Sequence, residues 1–252
     1  MNEAYEALQS IELLAFTLLG VLAVRHWRRR PSPASGWLAA TLGSFAFVAA
    51  IGAFFPEEID TPGTLWAAKG LFLVLCLFPQ FLYRFMSTFV KPPRWLDRVA
   101  VALTVSVGLA TLMLPYSPQP GDPVPWWFFG FLALFLANWS ILSAVVGVRL
   151  WRGGKGQPGV ARRRMRTLSL ATLGLALALL ISGVSAPAGD EDPTPLSFVI
   201  QIAAFSTAPL FLLGFAPPRL VRMAWRREEE LALRAAELEL MKALDPQQIA
   251  DV

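Results

Sequence analysis

The sequence has 252 residues, 55% of them hydrophobic and only 16% charged, with a mean hydropathy of +0.52. That balance excludes an ordinary water-soluble domain and places the chain in the membrane class. A single cysteine, Cys76, excludes an intramolecular disulfide framework, and the meaning of the +4 formal charge depends on where the charges lie.

A bilayer-crossing helix needs about 20 predominantly apolar residues, and seven such runs are predicted. The first, Leu8–Val24, follows the acidic leader "MNEAYEALQ" and precedes "RHWRRRP". That charge order is the reverse of a cleaved signal peptide, so the run is a span. The second, Ser35–Phe55, opens into "FPEEIDTPG"; the third, Thr64–Tyr83, into "KPPRWLDR"; the fourth, Leu96–Leu114, into "YSPQPGDPVP". The fifth, Trp126–Val148, leads to "RLWRGGKGQPGVARRRMR"; the sixth, Leu168–Ser185, to "APAGDEDPTP"; the seventh, Leu196–Phe215, to "PPRLVRMAWRR".

The connections alternate between basic and acidic. Of the 22 Lys and Arg residues, only Lys69 belongs to the acidic side. The positive-inside rule then predicts an N-terminus outside and a C-terminus in the cytoplasm. The basic surplus is a topology signal and an anionic-lipid contact, so no nucleic-acid partner is expected. Trp27, Trp37, Trp95, Trp151 and Trp225 fall near the basic ends of the spans, and Trp66, Trp126 and Trp127 near the acidic ends. That is the aromatic belt of a membrane protein; Trp139, within span five, is the exception.

Ionisable groups inside a membrane are functional candidates by default. Glu12 and Lys69 each lie a short way into spans one and three from the acidic side. The sequence leaves three readings open for them: an ion pair, a ligand cavity, or snorkelling to the headgroups. Gln80, Asn138 and Gln201 lie in spans three, five and seven, where amides serve as interhelical hydrogen-bond partners or as ligand contacts. Pro79 and Pro209 fall inside spans three and seven and are expected to kink them.

The chemistry that is missing narrows the function. The one histidine, His26, excludes a bis-His haem, and span seven has no lysine to carry a retinal Schiff base. "GGKG" around Lys155 lacks the strand and the Ser/Thr of a phosphate-binding loop. No catalytic residue, metal site or cofactor is expected. The partners expected are the lipid bilayer, an unidentified small-molecule or lipid stimulus, and a second copy of the chain.

Beyond span seven, Pro217 and Pro218 interrupt any continuous helix. From Arg219 to Leu244 the residues are strong helix formers. Ala224, Leu231, Ala235 and Leu238 follow coiled-coil spacings over about two and a half heptads, with a second stripe through Leu233, Ala236, Leu240 and Ala243. Two overlapping stripes suit a dimeric helix able to rotate or shift register, and also an amphipathic helix lying on the membrane; the dimer is preferred because Glu, not Lys or Arg, dominates the polar face. Asp245, Pro246 and Gln248 then satisfy the start signals of another helix, and eight residues are too few to stand alone. The expectation is a chain continuing into a soluble domain.

Two stretches, "LFPQFLYRFMSTF" at the end of span three and "PLFLLGFAPPRLVRMAWRREEE" at the exit of span seven, resemble the seven-span sensor modules at the N-terminus of bacterial signalling proteins, sensor histidine kinases among them. "ELELMKALDPQQIADV" resembles the helix leading into a GAF domain. The resemblance implies an all-α polytopic fold, a seven-transmembrane-helix bundle followed by a cytoplasmic signalling helix. It divides the chain into a sensory domain at 1–218, a signalling helix at 219–244, and the start of a GAF-like domain at 245–252. It implies a histidine kinase output, with a diguanylate cyclase or phosphatase as variants. Signal relay then falls to Pro209, Pro217, Pro218, Leu231, Ala235 and Leu238. The alternative is a self-contained membrane transporter or lipid-handling protein, which needs polar groups at mid-membrane.

Overall fold

The structure is a computed structural model that describes residues 2–55, 61–115, 125–185, 195–218, 220–225 and 233–238. Among the described residues, seven helices are long and apolar enough to cross a membrane. They are α1 (Asn2–Arg29), α2 (Pro33–Gly52), α3 (Pro62–Ser87), α4 (Arg94–Met113), α5 (Trp126–Gly153), α6 (Gly159–Ser185) and α7 (Pro195–Phe215). No strand occurs among the described residues. Leu231 and the segment 245–252 lie outside them.

Local chemistry sets the helix starts. Ser32 caps α2 and Thr61 caps α3, each in a reciprocal capping box with the residue three positions on, and each is followed by proline at the first helical position. Pro93 and Pro125 precede α4 and α5. The helix α6 begins nine residues before the apolar run predicted at Leu168. Arginine is a good helix former, so the helix continues through the "ARRRMR" run, which hydropathy alone marks as loop. Those extra turns carry Arg164.

Sequential helices pack as antiparallel neighbours, and α1 also packs against α7. The helices α1, α2, α3, α5, α6 and α7 thereby close a ring, while α4 packs on α3 and α5 outside it. The outward faces are apolar: Leu14, Leu18, Val105, Leu177 and Val199 are all exposed. Such faces suit lipid, which makes no demand for a polar surface. The inside is filled by aromatic side chains from four helices. Phe16 of α1 meets Phe45 of α2, Phe45 meets Phe78 of α3, and Phe78 stacks on Trp139 of α5 at 4.7 Å with rings 4° from parallel. Trp139 is fully buried, which explains why it departs from the belt.

Helices approach most closely where a side chain is missing. A Cβ on Gly20 would lie 2.5 Å from Ala46 Cβ and 3.0 Å from the Leu42 carbonyl oxygen. Neither atom can swing away, so α1 itself must move. Between apolar helices in lipid the attraction is packing rather than hydrophobic burial, so separation is costly. Gly20→Val is expected to destabilise the bundle by about 1–3 kcal/mol, read as a lower midpoint in thermal unfolding of the purified protein. An unchanged midpoint rules out the close α1–α2 contact.

Candidate sensing and relay sites

The two membrane charges do not meet. Glu12 accepts a hydrogen bond from the Gln201 side-chain amide, joining α1 to α7 where the ring closes. Lys69 donates to the Leu112 carbonyl at 3.0 Å and lies 4.6 Å from the centre of the Trp66 ring. Leu112 is the penultimate residue of α4, whose last carbonyls have no partner in their own helix. Lys69 therefore caps α4 from α3, with its positive charge at the negative end of the helix dipole. The residue is only 7% exposed, so it neither snorkels outward nor pairs with Glu12. With separate partners, the effects of Glu12→Gln and Lys69→Met on unfolding free energy are expected to add within about 0.5 kcal/mol. A double mutant no worse than either single mutant reinstates the ion pair.

Midway along the bundle, Thr104 of α4 stands between the two remaining amides. Its hydroxyl is 3.4 Å from both Gln80 Oε1 and Asn138 Oδ1, and 3.0 Å from the Ala100 carbonyl. The Asn138 amide in turn reaches the Cys76 carbonyl at 3.5 Å. Pro79, inside α3, has no N–H for the Leu75 carbonyl next to it in the chain. Polar groups of α3, α4 and α5 are thus tied together in an apolar interior. Thr104 was not singled out from the sequence, because threonine is common in spans and only the facing amides reveal its role. Thr104→Val keeps the shape and removes the hydroxyl; the expected loss is about 0.6–1.7 kcal/mol, measured by unfolding in detergent micelles.

The exit of α7 is built differently. The helix ends at Phe215, is broken across Pro217 and Pro218, and resumes over 220–225. Pro218 cannot donate to the Gly214 carbonyl four residues earlier. Arg164 of α6 does so instead: its Nε donates to Gly214 O and its Nη2 to Phe215 O, both at 2.9 Å. Gly214 allows the approach, since a Cβ there would lie 2.5 Å from Leu168 Cγ. Arg164 was legible only as one of a run of arginines; its partners are backbone carbonyls fifty residues away. Ala235 and Leu238 are exposed on the short helical stretch 233–238, and Pro209 lies inside α7.

At this basic end of the bundle lies a cavity of about 430 Å³ to which each of the six ring helices or its flanking turn contributes. His26, Gln157 and Arg164 supply polar groups, while Leu38, Phe85 and Leu168 form part of the apolar wall. The ring of His26 also meets Phe215 of α7 edge-on, with centroids 6.3 Å apart. Among the described residues, no three His, Cys, Asp or Glu side chains converge as a metal site.

Seven apolar helices, six closed into a ring and α4 packed outside it, define a multi-pass membrane module. The chain belongs to the family described as the N-terminal 7TM region of histidine kinase, whose model matches residues 11–210. No curated protein and no solved structure matches it.

Proposed function

We propose that the module receives a stimulus in the membrane or at its acidic face and passes it through α7 to a dimeric cytoplasmic helix and a histidine kinase output. The observation that carries the reading is the Arg164 clamp on the last carbonyls of α7, beside the Pro217–Pro218 break. Any shift of α6 against α7 reaches the chain exit through those two bonds. The stimulus biases two packings of the bundle, and acts only as far as its affinities for them differ. Kinase output is favoured over a cyclase or phosphatase by the family to which the chain belongs. The basic connections favour a C-terminus on the cytoplasmic side of a bacterial inner membrane. The transporter reading loses ground because Gln201 and Asn138 are already engaged with neighbouring helices.

The test is single-cysteine cross-linking along 231–238 in membranes, in a Cys76→Ala background. Cys76 is buried, so its removal leaves the cysteine placed on the exit helix as the reporter. Cross-linking that peaks at Leu231, Ala235 and Leu238 supports a dimeric signalling helix. Uniform or absent cross-linking overturns it.

A further inference from the structure

We propose that the cavity at the basic end binds a phosphate-bearing ligand, whose anion competes with the Gly214 and Phe215 carbonyls for Arg164. Among the described residues, the lining holds Arg164 and His26 and no Asp or Glu. The helices α2 and α6 both begin at its rim, through Ser32, Ser35 and Ala161; the Ser32–Ser35 capping box already occupies the first donors of α2, so its contribution is the dipole, which favours an anion at a helix N-terminus. The opposing C-terminal charge of α1 is answered by its own basic last turn, His26, Arg28 and Arg29. A volume of about 430 Å³ falls in the range of small-ligand sites.

The rest of the lining says what accompanies the anion. Leu38, Phe85, Leu150, Leu168 and Phe215 give one side of the cavity an apolar wall. A phosphate with a glycerol or acyl portion fits both halves; bare inorganic phosphate fits only the polar one. Arg164 is already a bidentate donor, and a guanidinium has the same planar match to phosphate oxygens. Moving from two neutral carbonyls to a charged phosphate releases the last turn of α7 next to the proline break. Occupancy and clamp are then mutually exclusive, and the coupling is reciprocal: whatever holds α7 clamped weakens the ligand. The consequence for signalling rests on the sensor reading; the binding site does not.

The protein is reconstituted in nanodiscs of phosphatidylcholine alone or with added phosphatidylglycerol, and separately titrated with glycerol phosphate. Bound ligand is read by native mass spectrometry, and the α6–α7 exit by the distance between spin labels at positions 170 and 220, both exposed. Expected is saturable binding that falls about tenfold or more in Arg164→Gln, the loss of one charge-assisted contact, but not in Arg162→Gln. Ala161→Trp, which fills the cavity and leaves the clamp, also abolishes it. Ligand shifts the 170–220 distance in the unsubstituted protein. Binding of phosphatidylglycerol alone identifies a lipid headgroup; displacement by glycerol phosphate identifies a soluble ester. Equal losses in Arg162→Gln and Arg164→Gln reduce the effect to surface charge and overturn the site. Binding without a distance change overturns the competition. Binding with a distance change but no cross-linking pattern at 231–238 keeps the site and removes the sensor relay.

Discussion

Trp139→Ala is expected to be the most damaging single substitution in the bundle. The indole is fully buried, stacked on Phe78 and flanked by Phe135 at 6.3 Å. Through Phe78 and Phe45 it is the far end of a column that reaches Phe16 on α1. Truncation opens a cavity that none of four helices can collapse into without breaking its other contacts. Large-to-small changes of this kind cost about 3–5 kcal/mol in water-soluble cores. In lipid the lost term is dispersion rather than transfer from water, so the lower end of that range is expected. Trp139→Phe separates two effects. It keeps a ring on Phe78 and removes the indole N–H, which has no acceptor among the described residues. A buried unmet donor costs about 1–3 kcal/mol, which offsets part of the lost area. The expected unfolding midpoint for Trp139→Phe is therefore close to that of the unsubstituted protein. Equal damage from both variants, measured by thermal unfolding in the same detergent, refutes this account and assigns the N–H a stabilising contact.

Arg164→Gln is expected to loosen the end of α7 while leaving the bundle folded. The side chain makes two charge-assisted hydrogen bonds to consecutive carbonyls, and one of these stands in for the donor that Pro218 lacks. Hydrogen bonds to charged groups contribute about 1.5–3 kcal/mol each when buried. Arg164 lies at an exposed helix end, where solvent reduces that figure; a combined loss of about 2 kcal/mol is expected. At 1.4 kcal/mol per factor of ten, amide hydrogen exchange of the last turn of α7 should accelerate about thirtyfold. Arg164→Lys should recover little, because an ammonium is a point charge and cannot hold two carbonyls in a planar fork. Exchange unchanged in both variants shows that the proline break needs no support from α6, and with it the relay through this contact fails. Acceleration spread over all seven helices instead assigns Arg164 to global stability.

Some of this was readable residue by residue. Spans three and five, Thr64–Tyr83 and Trp126–Val148, lie within the observed α3 and α5, because hydropathy is a property of each residue by itself. The alternation of "RHWRRRP" with "FPEEIDTPG" needs no partner to be informative either. Ser32–Pro33 and Thr61–Pro62 also act within one turn, but hydropathy started these two spans at Ser35 and Thr64 and passed over the caps. The same reasoning stopped short at α6, since hydropathy marks the apolar core of a helix and not its basic first turns.

Partner choice was not readable. Glu12 and Lys69 lie at similar depth, and depth alone left an ion pair, a ligand cavity and snorkelling all open. Depth does not say which way a side chain faces around its helix. In the folded ring, Glu12 faces α7 because α1 closes against α7, and Lys69 faces the end of α4 because α4 packs outside the ring on α3. Arg164 escaped notice for a related reason. Its partners are backbone carbonyls, which every residue carries, and only the proline break and the closeness at Gly214 make those two stand out. Composition and order along the chain thus determined that seven helices cross a membrane and which ends are basic. Which polar group meets which was decided by ring closure, because a hydrogen bond depends on two positions in space and on the rotation of two helices at once.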